Sequence, residues 1–308
     1  MPDPLAAFAR SPGPDLPVAL LILDPGLVRA VQTRLTHHGL LDPGADGYLC
    51  PVTQWALAEF CRSQSLPFSG TLTPSLATAL LTPADPLPTG SGLASRLAQA
   101  LLHRGQYLPR HPGCLSIVYA EATAPSGTPT PARPDAFDDA RFLLRMTRAG
   151  PELAGAWDAT TAPGRPAVEA TAGGAPRLAP GQYKAWIMGR TAIGTEFEQD
   201  ALIQAAPLPV TRDANRDFRR DGDPAQTGLF IIDQHGGRDA APDQIGPAGA
   251  GCLLGRSQPG HTAFLALLRQ DPRFQASNAY RFMTTLLEPG ALSHTAPSEP
   301  HRQDRKGE

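Results

Sequence analysis

The sequence predicts an α+β chain in two parts, an N-terminal three-helix bundle followed by a mainly β domain. Three observations carry this. Apolar residues recur at helical spacing in the first hundred residues. The helical stretches are short and separated by glycine turns. Beyond Cys114 the texture changes to β-rich runs broken by closely spaced turn signals.

Residues 1–24 are Pro-rich and read as a lead-in. Leu27, Val28, Val31 and Leu35 then fall on one helical face, and Gly39 follows as a C-cap. After the turn Asp42-Pro-Gly-Ala-Asp-Gly47, a second helix starts past Pro51, with Thr53 as its N-cap and Trp55, Leu57, Ala58 and Phe60 inside. Thr73-Pro74 is an N-cap and N1 pair opening a third helix that runs from Leu76 to Leu81. The module spans 25–86. A Pro/Gly linker and one amphipathic helix at 93–103 fill 87–110. Residues 111–290 form the second domain, with β-rich runs at Cys114–Tyr119, Phe142–Met146, Tyr183–Met188, Ala201–Gln204, Leu208–Val210 and Gly228–Ile232. A late helix spans Thr262–Gln270, with His261 at its start, on the surface. The polar segment 291–308 reads as a disordered tail.

Composition removes several function classes. With 41% hydrophobic and 18% charged residues among 308, most of the chain has the means to fold. A net charge of -2 and no basic tract argue against nucleic acid as a partner. No stretch approaches the roughly 18–20 apolar residues of a membrane span. The apolar run Val18–Leu23 lacks a preceding basic region, so no signal peptide is expected. The expectation is synthesis in the cytoplasm, with any action at the cell wall or periplasm following delivery or lysis, which would make a delivery machinery a further partner. Cys50, Cys61, Cys114 and Cys252 form no C-x-x-C pair and no metal-ligand spacing with histidine, so no metal and no cofactor are expected. Asp213-Ala-Asn-Arg-Asp217 opens like a calcium loop, but Phe218 stands where glycine is needed and Pro224 where glutamate is needed.

Residues 27–81 resemble the peptidoglycan-binding-domain-1 family, a three-helix module. The matching text is Val28-Arg-Ala-Val-Gln-Thr-Arg-Leu35, Gly39-Leu-Leu41, Asp46-Gly47, Thr53 with Ala56-Leu57 and Glu59-Phe60, and Gly70-Thr-Leu-Thr-Pro-Ser-Leu76. Cys61 and Tyr48-Leu49 depart from the family's usual residues. The resemblance implies peptidoglycan as the partner.

The second domain carries a chemical signature. His235 ends the run Thr227-Gly-Leu-Phe-Ile-Ile-Asp-Gln, and a Gly-rich loop leads to Gly251-Cys252. A cysteine served by an imidazole is what acyl transfer needs, because the thiolate attacks and the imidazole then protonates the leaving amine. Glycines there free the N–H groups of Gly251 and Cys252 to face an oxyanion. The histidine precedes the cysteine by 17 residues. That order and spacing resemble the L,D-transpeptidases of the YkuD type. By this resemblance His235 is the catalytic histidine, Cys252 the nucleophile and Gly251 the preceding glycine. The family's Ser/Thr is Gly249 here and its second histidine is Ala250, while Arg256 stands near the family's arginine. The resemblance further implies that imidazole Nδ1 donates to a backbone carbonyl; Asp233 and Asp239 are alternative partners. A related bacterial and phage group couples the same two modules. It matches at Ile117-Val-Tyr119, Trp157–Gly164, Ala179–Tyr183, Arg212–Phe218, Thr227–Phe230 and Gly251–Gly255.

The reading is a peptidoglycan-binding cysteine enzyme that cleaves or exchanges stem-peptide bonds, as a lysin or exported antibacterial effector. Cys252, His235 and Gly251 are catalytic, and Arg256, Arg238, Gly236, Gly249 and Tyr183 bind substrate. The alternatives are a non-catalytic wall-anchoring or phage structural protein with an inactive domain, which the departures at Gly249 and Ala250 favour, and a metal-dependent wall hydrolase.

Overall fold

A computed structural model describes residues 3–293 apart from 12, 193, 221, 247 and 248. The expected tail at 291–308 lies outside these from residue 294 onward. Ala291 and Leu292 are buried.

The N-terminal region is larger than three helices. Helix α1 (Pro4–Arg10) is capped by Asp3, whose carboxylate accepts from Leu5 N at 2.9 Å and pairs with Arg34 at 2.7 Å. Its Leu5 is fully buried. A two-residue strand, β1 (Leu16–Pro17), and a 3-10 turn (Val18–Leu23) follow, with Val18 and Leu21 buried. The lead-in reading of 1–24 is therefore corrected. Asp3-Pro4 is the same cap-and-proline start signal as Thr73-Pro74, and apolar burial holds the segment on the module.

Helices α2 (Pro25–His37), α3 (Pro51–Ser63) and α4 (Pro74–Leu81) bring the expected apolar faces together, and β2 (Thr71–Leu72) pairs antiparallel with β1. Thr73 caps α4 through Leu76 N at 3.1 Å. Thr53 does not cap α3. That helix begins at Pro51, and Thr53 sits inside it, buried against Gln32 at 3.4 Å. Gln32 fixes the next loop. Its amide nitrogen donates to Asp46 Oδ1 at 2.7 Å and Tyr48 O at 3.0 Å, and its oxygen accepts from Gly47 N at 2.8 Å.

Helix α5 (Leu93–His103) is a cover rather than a connector. Leu97, Ala98 and Leu101 are fully buried against the outer face of the β domain. That domain comprises β3 (Leu115–Ala120), β4 (Asp139–Thr147), β5 (Gly150–Thr160), α6 (Arg165–Ala170), β6 (Pro176–Leu178), β7 (Gly181–Thr191), β8 (Gln199–Gln204), β9 (Leu208–Arg212), β10 (Ala225–Gly228), β11 (Gln234–Gly236), β12 (Leu253–Gly255), α7 (Gln258–Leu268), α8 (Pro272–Ala276) and β13 (Phe282–Leu287). Eight strands close a barrel in the order β11-β12-β5-β4-β3-β13-β7-β8, and β10-β9-β6 form a separate sheet. Tyr119, Leu143, Trp186, Leu202, Leu253 and Phe264 join one apolar core.

Two further expectations change. Residues 229–232 are not strand. Gln204 clamps them, its Oε1 accepting from Phe230 N at 3.0 Å and Ile232 N at 2.9 Å, which leaves Leu229 and Ile231 exposed. The late helix α7 starts at the Ser257 cap, and His261 is buried within it.

The module is tied to the barrel by a buried ionic network. Asp42 accepts from Arg273 at 2.6 Å and from Tyr280 at 2.6 Å, and faces Lys184 at 3.1 Å. Arg273 also pairs with Asp271 at 2.7 Å. Burial alone would raise the Asp42 carboxyl, but Arg273 and Lys184 outweigh it and hold the group below its ordinary value. Removing one partner leaves buried carboxylates uncompensated. Arg273→Ala is expected to lower stability by about 3–5 kcal/mol at neutral pH in denaturant melts. Because Asp42 titrates below its unfolded value, its contribution to wild-type stability is present at neutral pH and lost as pH falls through the folded value. The deficit of the variant should therefore shrink in acid.

Candidate active site

Strands β11 and β12 are parallel neighbours, with His235 opposite Leu254. His235 and Leu254 therefore share one face of the sheet, and Cys252 immediately precedes β12. Cys252 is half-buried and packs beside Phe137, Ile245 and Leu254. Its thiol donates to Ile231 O at 3.3 Å. Ile231 adopts φ +60°, a left-handed conformation costly for a β-branched residue. Gly251 has φ +113°, and a Cβ there would lie 2.3 Å from Pro176 O, so only glycine fits before the cysteine. Neither the Gly251 nor the Cys252 N–H has a hydrogen-bond partner among the described residues.

His235 Nδ1 lies 3.1 Å from Gly236 O. A carbonyl only accepts, so Nδ1 carries the proton and Nε2 keeps its lone pair. Asp233 is not its partner, since that carboxylate accepts from Thr191 Oγ1 at 2.6 Å and Gln204 N at 2.9 Å. Asp239 instead takes Gln258 N at 3.1 Å. Burial lowers the imidazole pKa below 6.5 and keeps the ring neutral. Gly236 orients the ring and is itself held by Gln199, which takes its N–H at 3.0 Å and donates to its carbonyl at 3.1 Å.

The cysteine environment departs from expectation. Burial pushes the thiol up to about 12, and the Asp233 carboxylate adds to the rise. Among the described residues Cys252 and His235 share no hydrogen bond, and burial favours the neutral thiol and the neutral imidazole.

The other expected site residues divide. Arg238 and Gly236 line a cavity of about 330 Å³ with His235, Thr191, Phe197 and Gln199. The Arg238 guanidinium lies 4.4 Å from the centre of the Phe197 ring. Arg256 is held by Asp158 at 3.2 Å and by Ala240 O at 3.4 Å. Gly249 faces packing rather than a cleft. A Cβ there would meet Ile245 Cγ2 at 2.3 Å, and its carbonyl accepts from Gly164 N at 2.7 Å. Tyr183 is not brought to the cysteine. Its hydroxyl donates to Ala179 O at 3.1 Å and Pro180 O at 2.9 Å, and its strand pairs with β13 and β8.

One interior residue escaped sequence reasoning. Arg141 is fully buried, 4.0 Å from the Phe264 ring centre, and donates to His261 Nδ1 at 3.2 Å. Among the described residues it has no carboxylate partner. Burial and this guanidinium drive His261 down to about 3. Among the described residues no group of three or more His, Cys, Asp and Glu is placed to hold a metal ion. The calcium-like loop spends Asp213 on Asp217 N at 3.0 Å and Phe218 N at 2.9 Å. No helix among the described residues is long and apolar enough to cross a membrane.

Comparison with known proteins gives the class of the first part. Residues 25–80 match the family described as putative peptidoglycan binding domain. The match supports a peptidoglycan-binding N-terminal domain and peptidoglycan as its partner. No curated protein matches the chain. Among solved structures the chain is similar to a fused Zn-dependent amidase/peptidase/peptidoglycan-binding domain-containing protein from Clostridium acetobutylicum ATCC 824. The identity is 12%, the match covers 84% of this chain and 94% of that chain, and the TM-score is 0.27.

Proposed function

We propose that the chain is a peptidoglycan-acting cysteine enzyme, similar in chemistry to L,D-transpeptidases, with Cys252 as nucleophile and His235 as base. The observation that carries the reading is the β11–β12 pairing. Support comes from adjacent parallel strands, one carrying His235 with Nδ1 bonded to Gly236 O and the other preceded by the half-buried Cys252, and from Gly251, which admits no side chain.

Sulfur attacks the carbonyl carbon of a stem-peptide bond while the thiol proton passes to His235 Nε2. The Gly251 and Cys252 N–H groups face the developing oxyanion. The tetrahedral intermediate expels the amine, which takes the proton from His235, and leaves a thioester on Cys252. Water, activated by His235, then releases the shortened acid and the free thiol. The cavity beside His235 has room for water and is lined by Arg238 and Gln199, so hydrolysis is the favoured outcome and exchange needs an added D-amino acid in excess. Arg256 and Gly249 shape the loop rather than grip substrate.

Mass analysis of muropeptides after incubation with the pure protein tests this. Shortened stems are expected. New cross-linked dimers without shortened stems would make the protein a synthase, and an unchanged profile would favour the non-catalytic wall-anchoring alternative.

A further inference from the structure

A second cavity, of about 740 Å³, lies between the N-terminal domain and the barrel. From the module it takes Gln32, Asp46, Tyr48, Cys50 and Thr53, and from the barrel Lys184, Tyr280 and Arg281. Its size falls within the range of ligand sites, and a domain boundary is where such sites occur. The floor is rigid, because Asp42, Arg273, Lys184 and Tyr280 form the buried network that joins the two parts. One wall is fixed by Gln32, which holds the Asp46–Tyr48 loop.

The walls are chemically mixed in a specific way. Tyr48 is 63% exposed, an aromatic face left open on a loop that is otherwise pinned. Arg281 is exposed and has no hydrogen-bond or ion-pair partner among the described residues. Lys184 is half-exposed and keeps donors beyond its Asp42 bond. Asp46 faces the groove with one oxygen taken by Gln32 and Tyr48 N and the other free. An aromatic face, a free guanidinium, an ammonium and a carboxylate acceptor suit a sugar chain with hydroxyl and amide groups that also carries an anionic peptide.

We propose that this groove, built from both parts of the chain, is the wall-gripping site, and that its ligand is an amino-sugar strand bearing a carboxylate-containing peptide. The proposal rests on the family match of residues 25–80 and extends it to barrel residues that no such module contains. Tyr48 stacks on a sugar face, and Arg281 with Lys184 takes the peptide carboxylate. The groove lies at the end where β3 and β13 begin. Strand β12 runs opposite to β3, through β5 and β4, so Cys252 stands at the other end. The six residues of β3 put roughly 20 Å between them at about 3.3 Å per residue. The strand that is gripped therefore does not present its own nearest stem to Cys252. Gripping holds neighbouring stems at high local concentration for the cysteine to reach.

Cys50 provides the probe. It lines the groove and is half-exposed, whereas Cys61 and Cys114 are buried. In the full-length Cys252→Ala protein it is the accessible thiol, and no turnover complicates the measurement. Iodoacetamide labelling of Cys50 is followed by peptide mass, with and without disaccharide-tetrapeptides released from sacculi by a muramidase. Saturating muropeptide should slow labelling at least fivefold. Arg281→Glu and Tyr48→Ala, both substitutions of exposed side chains, should abolish that protection without shifting Tm. An unchanged Cys50 rate in a protein that still sediments with sacculi would overturn the groove and leave wall binding intact. A protein that never sediments with sacculi would overturn both.

Discussion

Cys252→Ala is expected to reduce stem-peptide processing to background while changing stability by no more than about 1 kcal/mol. The sulfur is half-buried, and its hydrogen bond to Ile231 O joins it to an exposed loop. Loss of that contact costs little, whereas loss of the nucleophile removes the covalent step entirely. Cys114→Ala is the control. That thiol is fully buried, and burial holds its pKa well above the ordinary value, so it has no route to substrate. Muropeptide release and thermal melts on the two variants separate the roles. Full activity in Cys252→Ala would remove the mechanism.

His235→Ala should slow acylation by about 10²–10⁴-fold, the usual range for a positioned general base. The pH profile is the sharper readout. In the wild type the thiol is pushed up to about 12 and the imidazole is lowered below 6.5, both by burial. The reactive pair is then neutral, and proton transfer accompanies S–C bond formation. A depressed imidazole pKa keeps the base form available as pH falls. The acid limb should therefore lie below 6.5, with a plateau above it and no rise near the ordinary thiol value of about 8.5. In His235→Ala the plateau should disappear, and residual activity should climb with pH as thiolate forms. A wild-type profile that climbs through 8.5 would mean a thiolate-first mechanism and would contradict the burial described.

The parts legible in the sequence were those written in local periodicity and caps. Leu27, Val28, Val31 and Leu35 share a buried face, and Thr73-Pro74 opens a helix as its residue types require. The same rule applied to Asp3-Pro4 would have found α1. The barrel was not legible. Strand β5 is Gly- and Ala-rich, with weak intrinsic strand preference, and is held by β4 and β12 on either side. Strands β11 and β12 are three residues each, too short for alternation to reveal, and their parallel pairing joins segments 19 positions apart. The run Leu229–Ile232 looked like a strand because its residues favour one. A single side chain, Gln204, overrides that preference. At the site, the choice of His235 and Cys252 came from order and spacing, and the Nδ1 contact to Gly236 O has the form the family resemblance implied. The state of the thiol was not legible, because burial and the nearby Asp233 carboxylate are products of tertiary packing. The link from Asp42 to Arg273 spans 231 positions and has no local signature.

Acid-quenched mass analysis of the protein mixed with disaccharide-tetrapeptides tests for a thioester on Cys252. A transient mass increment equal to the acyl portion of the stem is expected. It should map to the peptide containing Cys252, be released by hydroxylamine and be absent from Cys252→Ala. Shortened stems formed with no adduct on Cys252 at any quench time, or with the adduct on another residue, would contradict it.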